Sequence, residues 1–242
     1  MNLLRSLAFN AVFYLNTTIW LIVALPTFFM PYTAILAVAK AWGRVNLLLL
    51  RVVAGIGYEF RGREKIPRGP IIVAAKHQSA WETFALLSLF DSPFFIVKRE
   101  LQWIPVFGWY MIKGRMVPVD RSARKQAIHD MAERARAELN RGRQLIIFPE
   151  GTRRPPGAEP RYRFGVAHLY SAEGVPCVPI ALNSGLFWPR RSICRVPGMV
   201  LVEILDPIPP GMEQEKFFAY LQDVIENATA RLIAEAKAKM QR

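Results

Sequence analysis

The chain is poor in the residues that build metal sites and disulfide frameworks. It has 2 cysteines and 3 histidines in 242 residues. Neither Cys177 nor Cys194 has a histidine or a second cysteine beside it at ligand spacing, which argues against a zinc site and against a disulfide scaffold. Cys177 falls in the apolar run from Val175 to Leu182 and reads as a buried structural thiol. Internal repeats and low-complexity segments are also lacking.

Charge is missing over a long stretch. From Ser6 to Ala39 there are 34 residues without Asp, Glu, Lys or Arg, well beyond the roughly 18 to 20 needed to cross a bilayer as a helix. This end of the chain is expected in a membrane. Pro26 and Pro31 interrupt the run, so either a hairpin that enters one leaflet and returns or a span followed by an interfacial helix fits. A cleaved signal peptide fits less well, because the run is too long and Arg5 is a weak positive end. Lys and Arg dominate from Lys40 to Lys76, which by the positive-inside tendency sets the main domain on the cytoplasmic side. We expect a membrane-embedded helical segment at residues 1–56 and one domain at 57–242.

What is present supports a large core and an anionic partner. Hydrophobic residues make up 52% of the chain and the formal net charge is +13; that charge suits nucleic acid, an anionic membrane surface or acidic substrates equally. Hydropathy favours the membrane. Gly57 to Gly69 reads as a polar, basic stretch, and Pro70 to Ala75 as a short buried strand running into His77. Ser79 with Glu82 matches a capping box, so a helix is expected from Ser79 through Leu89, with His77 on the loop before it.

Further strands are expected at 94–97, 115–119, 144–148, 175–182 and 200–205. Helices are expected at 122–140, 164–173 and from about Met212, where Phe217, Leu221, Val224, Ala228 and Leu232 share a face. The apolar stretch from Trp103 to Met111 lines a chain-binding groove or faces the membrane. Alternating strands and helices indicate an α/β domain with a mixed, largely parallel sheet flanked by helices.

Two loops carry the chemistry. A histidine takes a proton from an alcohol near neutral pH when a carboxylate on its other ring nitrogen holds the tautomer that leaves a lone pair free. His77 and Glu82 are candidates for that pair, although Glu82 also serves a capping box. Glu150-Gly-Thr-Arg153 follows a strand, where glycine lets backbone amides approach an anion and arginine pairs with phosphate through two hydrogen bonds. His129 and His168 carry no motif and read as structural. Arg134, Arg136, Arg141 and Arg143 read as a solvated face that could also hold anionic lipid or an acidic donor.

With these residues in place the chain resembles the 1-acyl-sn-glycerol-3-phosphate acyltransferases, part of the wider glycerolipid acyltransferase family. The resemblance runs from about Gly69 to Ser184 through four blocks in the family's order. His77 to Glu82 is the first, with glutamate where the family usually has aspartate. Lys98 to Leu101 with Ile104, Pro105, Gly108 and Arg121 is the second. Phe148 to Arg153 is the third, and Val178 to Ala181 the fourth.

The resemblance implies direct transfer of a fatty acyl chain from a thioester to the sn-2 hydroxyl of lysophosphatidic acid, with no acyl-enzyme intermediate. His77 would be the base and Glu82 its partner. Glu150, Gly151, Thr152 and Arg153 would hold the acceptor phosphate, with Lys98 or Arg99 as a second contact. The implied partners are membrane lipids, lysophosphatidic acid and acyl-coenzyme A or acyl carrier protein, at a bacterial inner membrane. Neither metal, prosthetic group nor nucleic acid is required. A different lysolipid acceptor is the nearest rival, and a non-catalytic basic membrane-anchored binding protein the remote one.

Overall fold

Ile71 to Ala75 is apolar at every position and forms a strand buried along its whole length, the pattern of a parallel sheet covered on both faces. In a computed structural model of the chain, which describes residues 2–120 and 124–241, this strand is β2 of a seven-stranded sheet. The strands are β1 (Ile56–Arg61), β2 (Ile71–Ala75), β3 (Pro93–Lys98), β4 (Val117–Val119), β5 (Gln144–Ile147), β6 (Cys177–Leu182) and β7 (Gly198–Ile204), in spatial order β1-β7-β6-β2-β5-β3-β4. All neighbours are parallel except β6 and β7. The sheet is mixed and largely parallel, as the sequence indicates.

The helices are α1 (Asn2–Val23), α2 (Tyr32–Leu49), α3 (Trp81–Ala85), α4 (Phe107–Lys113), α5 (Arg124–Leu139), α6 (Gly165–Glu173) and α7 (Gln214–Met240). Alternation along β2 divides the core: Ile71, Val73 and Ala75 pack with Leu47, Trp81 and Phe84 from α2 and α3. Ile72 and Ala74 pack with Leu139, Leu169 and Phe217 from α5, α6 and α7 on the other face. The result is a three-layer sandwich whose parallel strands end along one edge, where α/β proteins bind ligands.

The apolar N-terminus forms a hairpin of α1 and α2, stitched by Asn16 Nδ2 donating to Asn46 Oδ1 (3.1 Å) and Trp42 Nε1 to Thr17 Oγ1 (3.3 Å). The two segments Leu3–Phe29 and Tyr32–Ala54 are each long and apolar enough to cross a membrane. Both ends of α1 are fastened to the folded domain. Near its start, Asn10 Nδ2 donates to Ile193 O and Arg195 Nη2 donates to Asn10 Oδ1. Near its end, Tyr110 OH of α4 donates to Leu21 O (2.6 Å), and Lys113 Nζ donates to Phe28 O in the turn (3.0 Å).

Several expectations change. The stretch from Gly57 to Gly69 contains edge strand β1, whose Ile56, Tyr58 and Phe60 alternate with Gly57, Glu59 and Arg61. The helix expected from Ser79 begins at Trp81 and runs one α-turn before a 3₁₀ turn at Leu86–Ser88. Trp103 to Met111 runs from the end of the 3₁₀ turn Arg99–Trp103 into α4, and is consistent with its sequence reading: Phe107, Tyr110 and Met111 line a cavity while Trp103 and Trp109 are exposed. Ser122 and Arg121 lie outside the described residues. Arg143 leaves the solvated face: it is buried, donates to Glu138 Oε2 (2.7 Å), Pro93 O and Gly114 O, and stacks over Tyr32 and Phe94. Cys177 is buried, and burial pushes its thiol up.

Candidate active site

Strand β2 ends at Ala75 and delivers Lys76, His77 and Gln78 to the strand-end edge, while β5 next to it delivers Phe148 to Arg154. The two loops are laced through the backbone of His77. Its N–H donates to Glu150 Oε2 (3.1 Å), and its carbonyl accepts from Arg154 N (2.8 Å). The imidazole lies on the Phe148 ring, with centroids 4.0 Å apart and planes 13° apart, so both its position and its plane are constrained.

Glu82 is fully buried and engaged on both oxygens. Oε1 lies 2.9 Å from His77 Nδ1 and accepts the backbone N–H groups of Gln78 (2.6 Å) and Ser79 (2.7 Å), while Oε2 accepts Ser184 Oγ–H (2.8 Å). An oxygen that already accepts two backbone N–H groups is an acceptor toward Nδ1 as well, which leaves Nε2 turned away from Glu82. Capping and orienting are therefore not alternatives. The same oxygen that caps Ser79 N fixes the tautomer, and the extra methylene of glutamate leaves that contact intact.

Glu150 does a different job from the one its motif suggests. Oε1 accepts Lys76 Nζ (2.9 Å) and Oε2 accepts His77 N, with the carboxylate fully inside the protein. Lys76 Nζ also reaches Glu226 Oε1 on α7 (2.6 Å), which accepts Tyr162 OH as well (2.9 Å). Burial pushes the Glu150 carboxyl above its ordinary value, and Lys76 opposes that shift. An acid committed to a lysine and a backbone amide is a brace for the base and a poor phosphate ligand.

The edge opens into a cavity of about 1180 Å³. One end is polar, with His77, Lys98, Gly151, Thr152 and Arg153 on its wall; the other is apolar and enclosed by residues of α1, α2 and α4 such as Leu21, Leu36, Trp42 and Met111. Gly151 adopts φ +64°, a left-handed conformation that a glycine takes without strain, and its turn is closed by Gly151 N donating to Phe148 O (2.8 Å). Such a site sets an imidazole, cationic side chains and an apolar wall side by side. Among the described residues no group of three or more His, Cys, Asp or Glu could hold a metal ion.

The acyltransferase family model matches residues 57–183. This chain belongs to the acyltransferase family. It is 37% identical over 205 residues to the 1-acyl-sn-glycerol-3-phosphate acyltransferase of Pseudomonas aeruginosa, covering 85% of this chain and 80% of that protein. It is 30% identical over 169 residues to the human 1-acyl-sn-glycerol-3-phosphate acyltransferase alpha, covering 69% of this chain and 60% of that one. The crystal structure of the 1-acyl-sn-glycerophosphate (LPA) acyltransferase PlsC from Thermotoga maritima superposes with a TM-score of 0.79 at 26% identity, covering 96% of this chain and 98% of that one.

Within this acyltransferase, the residues singled out by sequence do not all reach the site. Lys98 lines the cavity while pairing with Glu100 (2.8 Å). Arg99 turns to Asp120 instead (2.9 Å) and is not on the wall. His129 is exposed beside Glu133 on α5 and His168 lies on α6, neither on the cavity wall. Sequence reasoning missed Lys76, Ser184, Tyr162 and Glu226. Ser184 was within reach, since it lies two residues after the strand of the fourth block; Glu226 on the closing helix gave no signal, because only the folded chain brings α7 to Lys76.

Proposed function

We propose that this acyltransferase moves a fatty acyl chain from a thioester to the sn-2 hydroxyl of 1-acyl-sn-glycerol 3-phosphate, giving phosphatidic acid. The observation that carries the reading is His77, held by Glu82, on the wall of a cavity lined by both polar and apolar residues. His77 Nε2 takes the proton of the acceptor hydroxyl as that oxygen attacks the thioester carbonyl carbon. The C–S bond breaks, and the departing sulfur takes the proton from Nε2 to leave as a thiol. Glu82 stays ionised and stabilises the transient imidazolium. Arg153, the Gly151 and Thr152 turn and Lys98 hold the phosphate, and the apolar end holds a hydrocarbon chain.

The hairpin fits a protein seated in one leaflet. A helix of 22 residues spans about 33 Å, enough to cross a hydrocarbon core, yet both ends of α1 touch the same domain, so α1 lies along that domain instead of leaving it. Its outward side chains, Leu4, Leu15, Ile22 and, at the turn, Phe29, are exposed, as are Trp103 just before α4 and Trp109 on it. Both lipid partners reside there, and the basic segment between the hairpin and β2 favours the cytoplasmic face.

The test is a detergent-solubilised assay that offers a panel of lysolipids with acyl-coenzyme A and acyl carrier protein donors and follows thiol release. Preferred acylation of lysophosphatidic acid is expected. A clear preference for a lyso-ornithine lipid, which lacks the phosphomonoester, would overturn the acceptor assignment.

A further inference from the structure

The polar end of the cavity holds more positive charge than the family blocks account for. Besides Lys98 and Arg153, its wall includes Arg163, just before α6, and Arg190, in the connection from β6 to β7. Both are fastened to the loop that carries Arg153. Arg163 N donates to Pro149 O (2.8 Å), and Arg190 Nη1 donates to Arg153 O (2.9 Å). The carboxylates on the same wall are committed elsewhere: Glu150 to Lys76 and Asp120 to Arg99.

Arg153, Arg163 and Arg190 thus come from two connections that meet at the loop after β5 and line one cavity, and among the described residues none of the three guanidinium groups has an acidic partner within ion-pair distance. Three like charges gathered without a counter-charge repel one another, and a doubly charged oxyanion between them relieves that repulsion while matching their planar donors. We propose that Arg163 and Arg190 join Arg153 in a three-arginine site for a phosphomonoester dianion, and that the two added arginines set the preference for a phosphomonoester over a phosphodiester headgroup. This deepens the acyltransferase reading and rests on it for the identity of the ligand as the acceptor. Arg190 lies beyond the matched residues 57–183, and Arg163 lies outside the four blocks.

The same phosphate chemistry could reach these arginines from the donor, so the experiment separates the two sources. Arg163→Ala, Arg190→Ala and Arg190→Lys are assayed with lysophosphatidic acid and with lysophosphatidylglycerol, each against acyl-coenzyme A and a phosphate-free acyl N-acetylcysteamine thioester. Each alanine variant is expected to raise KM for lysophosphatidic acid about 10- to 100-fold, the range for a lost hydrogen bond to a charged group. The change for lysophosphatidylglycerol should be several-fold smaller, Arg190→Lys should recover part of the loss, and donor KM should hold. Unchanged KM for lysophosphatidic acid in both alanine variants overturns the proposal. So does a rise in KM for acyl-coenzyme A that the phosphate-free thioester does not share.

Calorimetric titration with sn-glycerol 3-phosphate reads the site without turnover. Binding by the wild type that Arg163→Ala/Arg190→Ala loses supports the site even if lysophosphatidic acid proves not to be the acceptor, whereas equal binding by both removes it. Arg163 and Arg190 are exposed, so these variants are expected to fold as the wild type does.

Discussion

The two ends of the cavity are built in opposite ways. At the polar end His77 is held by its backbone N–H, its backbone carbonyl and its ring face, all against the loop after β5, and by its Nδ1 against Glu82. At the apolar end the wall comes from helices whose outer sides are exposed hydrophobics, and polar contacts such as Tyr110 OH to Leu21 O and Trp42 Nε1 to Thr17 Oγ1 tie one helix to another. Proton transfer requires atoms placed within tenths of an ångström, whereas a hydrocarbon chain needs only excluded water and space.

That contrast predicts different kinds of damage at the two ends. His77→Ala should lower kcat about 10² to 10⁴-fold, the usual range for a positioned base, with the melting temperature nearly unchanged; near-normal turnover would sink the mechanism. Arg153→Ala should weaken the acceptor by about 1.5 to 3 kcal/mol and leave donor KM nearly constant. Equal losses for acceptor and donor would contradict its assignment to the phosphate.

At the apolar end, Ala39→Trp adds bulk to the wall without touching the base. Each methylene it displaces should cost about 0.8 kcal/mol of binding, so long-chain substrates should suffer more than short ones when kcat/KM is compared across chain lengths. A uniform loss across lengths would mean that the chain does not reach that wall.

A pair outside both ends sets the baseline. Arg61, hydrogen-bonded to Glu235 across β1 and α7, holds the Glu235 carboxyl down at about 2, against an ordinary 4.5. A depressed carboxyl contributes stability above its unfolded value and loses that contribution as pH falls through its folded value. Glu235→Gln should therefore cost under about 1 kcal/mol at pH 7, and thermal unfolding should show that gap closing between about pH 4.5 and pH 2. A gap that widens on acidification would reverse the sign.

The sequence made the polar end more legible than the apolar one. His77, Glu82 and Arg153 sit in compact motifs beside strand ends, and β2 was readable because five consecutive apolar residues bounded by Gly69-Pro70 and Lys76 are too short for a buried helix and fit a strand covered on both faces. The β1 edge strand was obscured by the glycines and charges around its alternating Ile56, Tyr58 and Phe60. Glu150 and Arg143 were misread for one reason: both are charged residues taken inside the protein, and only their partners Lys76 and Glu138, distant or near in sequence, reveal that the charge is compensated. The apolar hairpin was visible from the missing charge, but its path along the domain depends on contacts such as Tyr110 to Leu21 that composition does not encode.

The central claim is that Glu82 acts through His77 and not as a cap alone, and a double-mutant cycle of His77→Ala and Glu82→Gln on single-turnover acyl transfer tests it most directly. Glutamine still caps Ser79 N but carries no charge for the imidazolium. The account predicts that Glu82→Gln alone slows transfer about 10²-fold and slows it no further once His77 is gone. Losses that multiply in the double variant would show that Glu82 works independently of the base and would contradict the account.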